Sequence, residues 1–232
     1  MKGLTRDVLI ETGLRLLDEV GLDGLTVRRL ATALGVQSPA LYWHIKTKQD
    51  LLDGMASAII AGAGIGPPRD GEPWPEWLGR RARAYRNSLL AHRDGARLVA
   101  SARRIPEVVG SFEEELAAMV KLGFTPVLAL RTITVISNYI NGLVLQEQTI
   151  TPASPATSEA AGPRNGSAAT DAGAGADRPA GFAFEALPTL AAALQEGGAP
   201  LGDAVFEHGL AVFIGGTEAL LSSANSRRSP HR

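Results

Sequence analysis

The stretch "LTVRRLATALGVQSPALYWHIKTKQDLL", Leu25 to Leu52, limits what this chain can fold into more than any other. Three helix starts and one helix stop crowd into it. Thr26 is expected to cap a helix running to Leu34, its hydroxyl accepting from amides of the first turn. Gly35 stops that helix in the position that glycine favours. Ser38 is expected to cap the next, with Pro39 at the first helical position, where a missing N–H costs nothing. That helix ends near Ile45. Thr47 caps a longer one from Lys48 to about Ala61, with Asp50 in its first turn favoured by the helix dipole. A helix as short as the third is not stable alone in water, so its neighbours must hold it. The second and third helices, joined by "LGVQ" with its glycine, therefore form a helix-turn-helix pattern.

The rest of the chain obeys the same period. Apolar residues recur at three and four, and no stretch alternates as a strand does, which predicts an all-α fold. The first helix spans about Thr5 to Val20, with Val8, Leu9, Thr12, Leu16, Leu17 and Val20 on one face and Gly21 at its end. "GAGIGPPRDGEP" (Gly62 to Pro73) breaks the pattern as a hinge would. Helices follow at Trp74–His92, Gly95–Ala102 and Pro106–Leu122. Thr125 and Pro126 open a long one to about Gln148. Residues Thr151 to Gly181 are almost all Ala, Pro, Gly, Ser and Thr; they bury too little surface to offset ordering entropy and are expected to be disordered. Two helices close the chain, about Phe184–Gln195 and Leu201–Ser222, before a frayed tail. The domain organisation expected is a small helix-turn-helix domain at 1–47, a connecting helix and hinge at 48–66, and a larger helical domain at 67–225.

Composition excludes several classes. The chain has no cysteine, hence no disulfide framework and no thiolate metal site. Its four histidines (His44, His92, His208, His231) are scattered, so no metal and no cofactor is expected. The N-terminus carries Asp7, Glu11, Asp18 and Glu19, unlike a secretory signal. The longest apolar run, Val127 to Leu145, contains Arg131, Asn138 and Asn141, which a membrane span tolerates poorly. A cytoplasmic protein without a membrane partner is expected. Net charge is −1, so any binding of a polyanion must rest on local charge.

Such a local patch exists. From Thr26 to Lys48 the charged residues are Arg28, Arg29, Lys46 and Lys48, with no acid among them. Tyr42, Trp43 and His44 stand in a row and cannot all face one core. Leu41 and Ile45 are expected to anchor the short helix while the rings turn outward; the plainer alternative is that Tyr42 and Trp43 merely flank the core. Gln37, Ser38, Pro39 and Ala40 sit at the helix start, where a helix in the major groove meets base edges. Pro39 and Ala40 suit thymine methyls, and Gln37 can bond a base edge.

"LTVRRLATALGVQSPALYWHIKTKQDLLDGMA" resembles the DNA-binding domain of the TetR family of repressors, and "LYWHIKTKQDLLD" is similar to its tetracycline-repressor subgroup. A weaker likeness continues through "LLAHRDGARL" and "VLQEQ". The resemblance implies an all-α homodimer that binds a palindromic operator in double-stranded DNA. It also implies a small-molecule inducer that moves the fourth helix and spreads the two heads. Carried over by position, it implies that Arg28, Gln37, Ser38, Pro39, Ala40 and Trp43 approach bases. Thr26, Tyr42, His44 and Lys48 would hold phosphates. The subgroup's drug–magnesium site is where this chain departs. The pocket histidine falls at Gly64, the metal-ligating histidine at Val99, an amide-bearing asparagine at Arg81, a glutamine at Glu115 and a water-ordering glutamate at Gln146. Magnesium takes oxygen ligands or imidazole, so magnesium–tetracycline is not the expected inducer.

What remains is an apolar cleft with a few polar groups, the usual form of a small-molecule site. The expected walls are Tyr85, Val99, Phe112, Leu116, Ile133 and Ser137, with Arg81, Arg103 and Glu115 as polar anchors. Phe112, Leu116 and Ile133 serve equally well as plain core. The helices Pro126–Gln148 and Leu201–Ser222 are apolar on more than one face, which predicts a dimer bundle. No enzyme is expected. His92 and Asp94 are two apart and share no helix face; they are expected to cap and bond backbone. "GAGIG" resembles a dinucleotide-binding loop, yet no strand precedes it. A transcriptional activator, or a DNA-binding protein of this fold without a ligand, is the alternative to a repressor.

Overall fold

The computed structural model describes residues 4–103, 106–150 and 187–228. The segment expected to be disordered, 151–181, lies outside these residues, as do 229–232. Every regular element among the described residues is an α-helix: α1 Arg6–Gly24, α2 Val27–Leu34, α3 Ser38–Leu41, α4 Lys48–Gly62, α5 Trp74–Leu90, α6 Gly95–Ser101, α7 Pro106–Lys121, α8 Pro126–Ile150, α9 Pro188–Gly197 and α10 Asp203–Arg228. Backbone contacts divide the chain into two compact units, Met1–Pro152 with Leu201–Arg232, and Ala153–Pro200. Within the second unit the described structure is α9, closed by Gly198 at φ 73°.

The local signals act as their chemistry dictates. Thr5 Oγ1 accepts from Val8 N at 3.3 Å, and Thr26 Oγ1 accepts from Arg29 N at 3.2 Å. Gly35 ends α2 at φ 66°, a left-handed conformation that costs glycine nothing. The chain then reverses, and Val36 N donates back to Ala31 O at 3.0 Å. Thr47 and Asp50 form a reciprocal capping box at the start of α4, and the Asp50 carboxylate also accepts from Lys46 N at 3.1 Å. Thr47→Ala removes half of this cap and is expected to lower stability by about 1 kcal/mol, read as a shift of the urea midpoint.

The third helix differs from the sequence reading. It begins at Ser38 and spans one turn; Gln37 occupies the cap position and makes no side-chain cap bond. Ser38 is therefore inside the helix and not its cap, and Pro39 sits at the second helical position. The first turn also tolerates a missing N–H there, so the Ser-Pro pair is compatible with either register. Tyr42 to His44 form turns, and His44 N and Ile45 N both bond to Leu41 O. Leu41 is fully buried and Ile45 is 2 % exposed. These two side chains, together with Leu30 and Ala31 of α2, hold the short helix against the head.

The larger body packs α5 against α8, with α6 between α4 and α8. Trp77 is fully buried and donates from Nε1 to Gly66 O at 2.8 Å, which pins the hinge. Trp74 meets Phe124 edge-on at 5.4 Å. Thr125 Oγ1 accepts from Leu128 N at 3.1 Å, capping α8. Arg86 joins three helices: it pairs with Glu147 of α8 at 3.0 Å, with Asp203 of α10 at 2.7 Å, and lies over the Phe206 ring.

The end of α1 is tied to the α5–α6 corner. Gly21, at φ 71°, lies so close that a Cβ there would stand 2.9 Å from Asp94 Oδ2. Asp94 instead accepts from Leu22 N at 2.8 Å. Asp18 accepts from Arg93 N at 3.0 Å and faces His92 Nδ1 at 3.1 Å. Arg97 and Asp23 form a two-point pair. His92 and Asp94 thus bind α1 across the chain and do not cap their own helices.

Candidate nucleic-acid interface and ligand cavity

The DNA-facing candidates cluster on one short piece of backbone. Thr26, Arg28, Gln37, Pro39, His44 and Lys48 are exposed, while Ser38 and Ala40 are half-buried. Tyr42 is 51 % exposed and Trp43 is 90 % exposed. The alternative that these two rings flank the core does not describe Trp43, the most exposed large apolar side chain among the described residues. Burial of Leu41 and Ile45 on the inward side forces Trp43 outward. Arg29, Lys46 and Lys48 are exposed around it. The Thr26 hydroxyl is already engaged in capping α2. A short helix with small side chains at its start, flanked by exposed basic residues of α2 and of the segment after it, has the form that enters a major groove, with phosphate contacts at its flanks.

The second candidate site is a cavity of about 290 Å³ inside the larger body. Seven of the nine residues expected there line it: Arg81 and Tyr85 from α5, Val99 from α6, Phe112 and Glu115 from α7, and Ile133 and Ser137 from α8. Two do not. Leu116 packs against the core instead, one helical step round from Glu115. Arg103 lies exposed beyond the end of α6, where its backbone N–H donates to Asp53 Oδ1 at 2.9 Å. The sequence reading missed Ile60, Ile65, Ser111, Thr134, Asn138 and Asn141. Two of these carried a signal, since an asparagine in a long apolar helix needs a polar reason.

Electrostatics set the character of the cavity. Arg81 is 4 % and Glu115 is 2 % exposed, and Arg81 Nε donates to Glu115 Oε2 at 2.9 Å. Burial raises the Glu115 pKa, while the Arg81 charge and hydrogen bond oppose the rise. Burial likewise raises the Tyr85 hydroxyl, opposed by the Arg81 charge and the Asn141 side chain. Arg81 and Glu115 are the two charged residues in the wall, so their charges cancel there. The remaining surface is mostly alkyl and aromatic.

Comparison with known proteins agrees with both halves of this geometry. Residues 9–55 match the family of bacterial regulatory proteins of the tetR family. Residues 67–221 match the tetracyclin repressor-like C-terminal domain. The tetracycline repressor protein class C of Escherichia coli is 38 % identical over 226 residues, covering 97 % of this chain and 95 % of that protein. TetR of Acinetobacter baumannii AYE, solved as a variant in complex with minocycline, superposes with a TM-score of 0.72 at 32 % identity, covering 99 % of this chain and 98 % of the other. A class A TetR in complex with 5a,6-anhydrotetracycline and magnesium gives a TM-score of 0.65 at 31 % identity, covering 93 % and 99 %. With a helix-turn-helix head, a cavity in the larger body, and family matches over both regions, this chain belongs to the TetR family of transcriptional regulators.

Proposed function

We propose that this protein is a repressor that binds a palindromic operator as a homodimer and releases it when a small molecule enters the cavity. The reading divides the chain into a head at 1–47, a link at 48–66 and a sensing and dimerising body at 67–225. It places the protein in the cytoplasm, where its DNA lies, and gives it no enzymatic step. One observation carries it. The helix α4 begins at Lys48, five residues after the exposed Trp43, and reaches the cavity wall at Ile60. Twelve residues of one helix span roughly 18 Å, so a push at Ile60 is felt at Lys48. The partner helix α6 supports this route: Val99 lines the cavity, and Ser101 O accepts from Gln49 Nε2 of α4 at 3.3 Å.

Magnesium–tetracycline does not fit this cavity. Val99 offers only alkyl groups to it, no histidine is in the described wall, and the one carboxylate, Glu115, is engaged by Arg81. A magnesium ion demands several oxygen ligands in octahedral array. The inducer is therefore an organic molecule bound without metal.

The test starts from the full chain and a random duplex pool. Selection is expected to recover a sequence with dyad symmetry, and recovery of sequences without symmetry would overturn the homodimer reading. Tetracycline with magnesium is expected to leave the selected complex intact; strong magnesium-dependent release would overturn the metal-free reading. Lys48→Ala is expected to weaken binding to all DNA and to reduce the salt slope by about 1. An unchanged slope in fluorescence anisotropy across a salt series would remove Lys48 from the phosphate contacts.

A further inference from the structure

The middle of α8 is apolar except along one line. Between Ile133 and Leu145 its polar side chains are Thr134, Ser137, Asn138, Tyr139 and Asn141. Tyr139 has a structural partner, since its hydroxyl donates to Val205 O of α10 at 2.9 Å. The other four all line the cavity. Their spacing of three and four puts them on one face of the helix, where side chains and not backbone meet a visitor. Asn141 is engaged with the Tyr85 hydroxyl. Thr134 Oγ1 donates to Leu130 O at 2.8 Å and keeps lone pairs with which to accept. Ser137 and Asn138 make no hydrogen bond to any described residue. Neither is enclosed: Asn138 is exposed, and the half-buried Ser137 keeps surface on its hydroxyl.

The charged residues of the wall are, by contrast, out of reach. The Arg81 and Glu115 side chains are 5 % and 2 % exposed and are bonded to each other. A ligand therefore meets hydroxyls and amides on α8, and alkyl and aromatic groups from Ile60, Tyr85, Val99 and Phe112 on the other helices. A full charge would find no accessible counter-ion there, and an unpaired charge is costly away from water. A hydroxyl group suits such a wall, because serine and asparagine each offer it a donor and an acceptor. Thr134 precedes Ser137 by three and Asn138 by four, so the three are surface neighbours roughly 5–6 Å apart. That spacing suits two hydroxyls on one ring with a carbon between them.

We infer that α8 reads the ligand: Ser137 and Asn138, with Thr134 as a further acceptor, bind the hydroxyl edge of an uncharged compound whose remaining body is an apolar ring system. This rests on the cavity being the inducer site of the proposed repressor, and it names the ligand class that the site takes.

Isothermal titration of the full chain with four naphthalene probes tests it: naphthalene-1,3-diol, 1,3-dimethoxynaphthalene, 1-naphthoate and 1-naphthylmethylammonium. The diol is expected to bind about tenfold more tightly than the dimethoxy probe, which keeps the acceptors and loses both donors. It is expected to exceed the two charged probes by about tenfold or more. Ser137→Ala with Asn138→Ala is expected to bring the diol and the dimethoxy probe within about twofold of each other while both still bind, and each single variant to fall between. The ratio separates recognition from a loosened fold, which would weaken both probes alike. A diol no tighter than the other probes, a ratio unchanged in the double variant, or no binding by any of the four would overturn the inference. Operator release is read separately by fluorescence anisotropy. If 1-naphthoate binds most tightly and releases the operator, the ligand class is overturned and the repressor reading stands. A diol that binds as expected and leaves the operator bound supports the class and overturns the cavity's role as trigger.

Discussion

Arg81→Ala is expected to lower the stability of the fold by about 3–5 kcal/mol, the cost of leaving a buried carboxylate without its partner. Glu115 is 2 % exposed, and among the described residues its one salt bridge is to Arg81. The loss should depend on pH with a definite sign. Burial already raises the Glu115 pKa above its usual value of 4.5, and removing Arg81 removes the larger part of the opposing influence, leaving only the charge of Arg80. A carboxyl whose folded pKa lies above its unfolded pKa binds protons on folding. Its contribution is most favourable below the unfolded value and declines as pH rises toward the folded one. Arg81→Ala should thus be mildest near pH 5 and worst near pH 8, measured by urea denaturation at both. The double variant Arg81→Met with Glu115→Met should recover most of the loss, because well-packed apolar residues often replace a buried pair at little cost. A double variant as unstable as the single one would show that packing, and not charge, dominates the site.

The second large effect concerns the outer faces of α8 and α10. Val127, Leu130 and Val135 of α8 and Val212 and Leu220 of α10 are large, apolar and exposed. Only 17 % of the apolar window of α10 is buried, at a mean hydropathy of 1.3. Both helices are long and apolar enough to cross a membrane. Yet the opposite face of α8 packs Ile133, Ile136 and Ile140 into the core, and the chain belongs to a family of DNA-binding regulators. A second copy is the occupant that the proposed function needs. Val212→Asp with Leu220→Asp is expected to yield a monomer by light scattering at micromolar concentration. Operator affinity should fall by about 10²-fold or more, since joining two half-site contacts multiplies affinity by ~10²–10⁴. Undiminished operator affinity in a demonstrated monomer would remove the dimer from the mechanism.

Local chemistry was legible in the sequence wherever one residue decides a conformation. Thr26, Thr47 and Thr125 are caps, and Gly35 is a left-handed stop, because each needs only its own few neighbours. Ser38 defeated that logic, since a serine before a proline looks the same whether it caps a helix or occupies its first turn. The outward turn of Trp43 followed from two anchors, Leu41 at the end of the short helix and Ile45 just beyond it. The cavity was less accessible. Its wall draws on α4, α5, α6, α7 and α8 and on the hinge, and no periodicity states which residues of separate helices meet. The Arg81–Glu115 pair shows this well: both residues were anchors in the sequence reading, but their bond spans 34 positions. Asn138 and Asn141 served only as an argument against a membrane span, although a polar residue in an apolar helix is equally an argument for a site.

The exposure of Trp43 has an optical consequence. The chain has three tryptophans; Trp77 is fully buried, and Trp74 is half-buried against Phe124. Emission from water-accessible indole therefore comes chiefly from Trp43, in the turn that follows α3. An aqueous quencher such as iodide should extinguish that component in the free protein and spare it on the operator. The regulator carries its own optical reporter at the surface proposed to meet DNA, without any label.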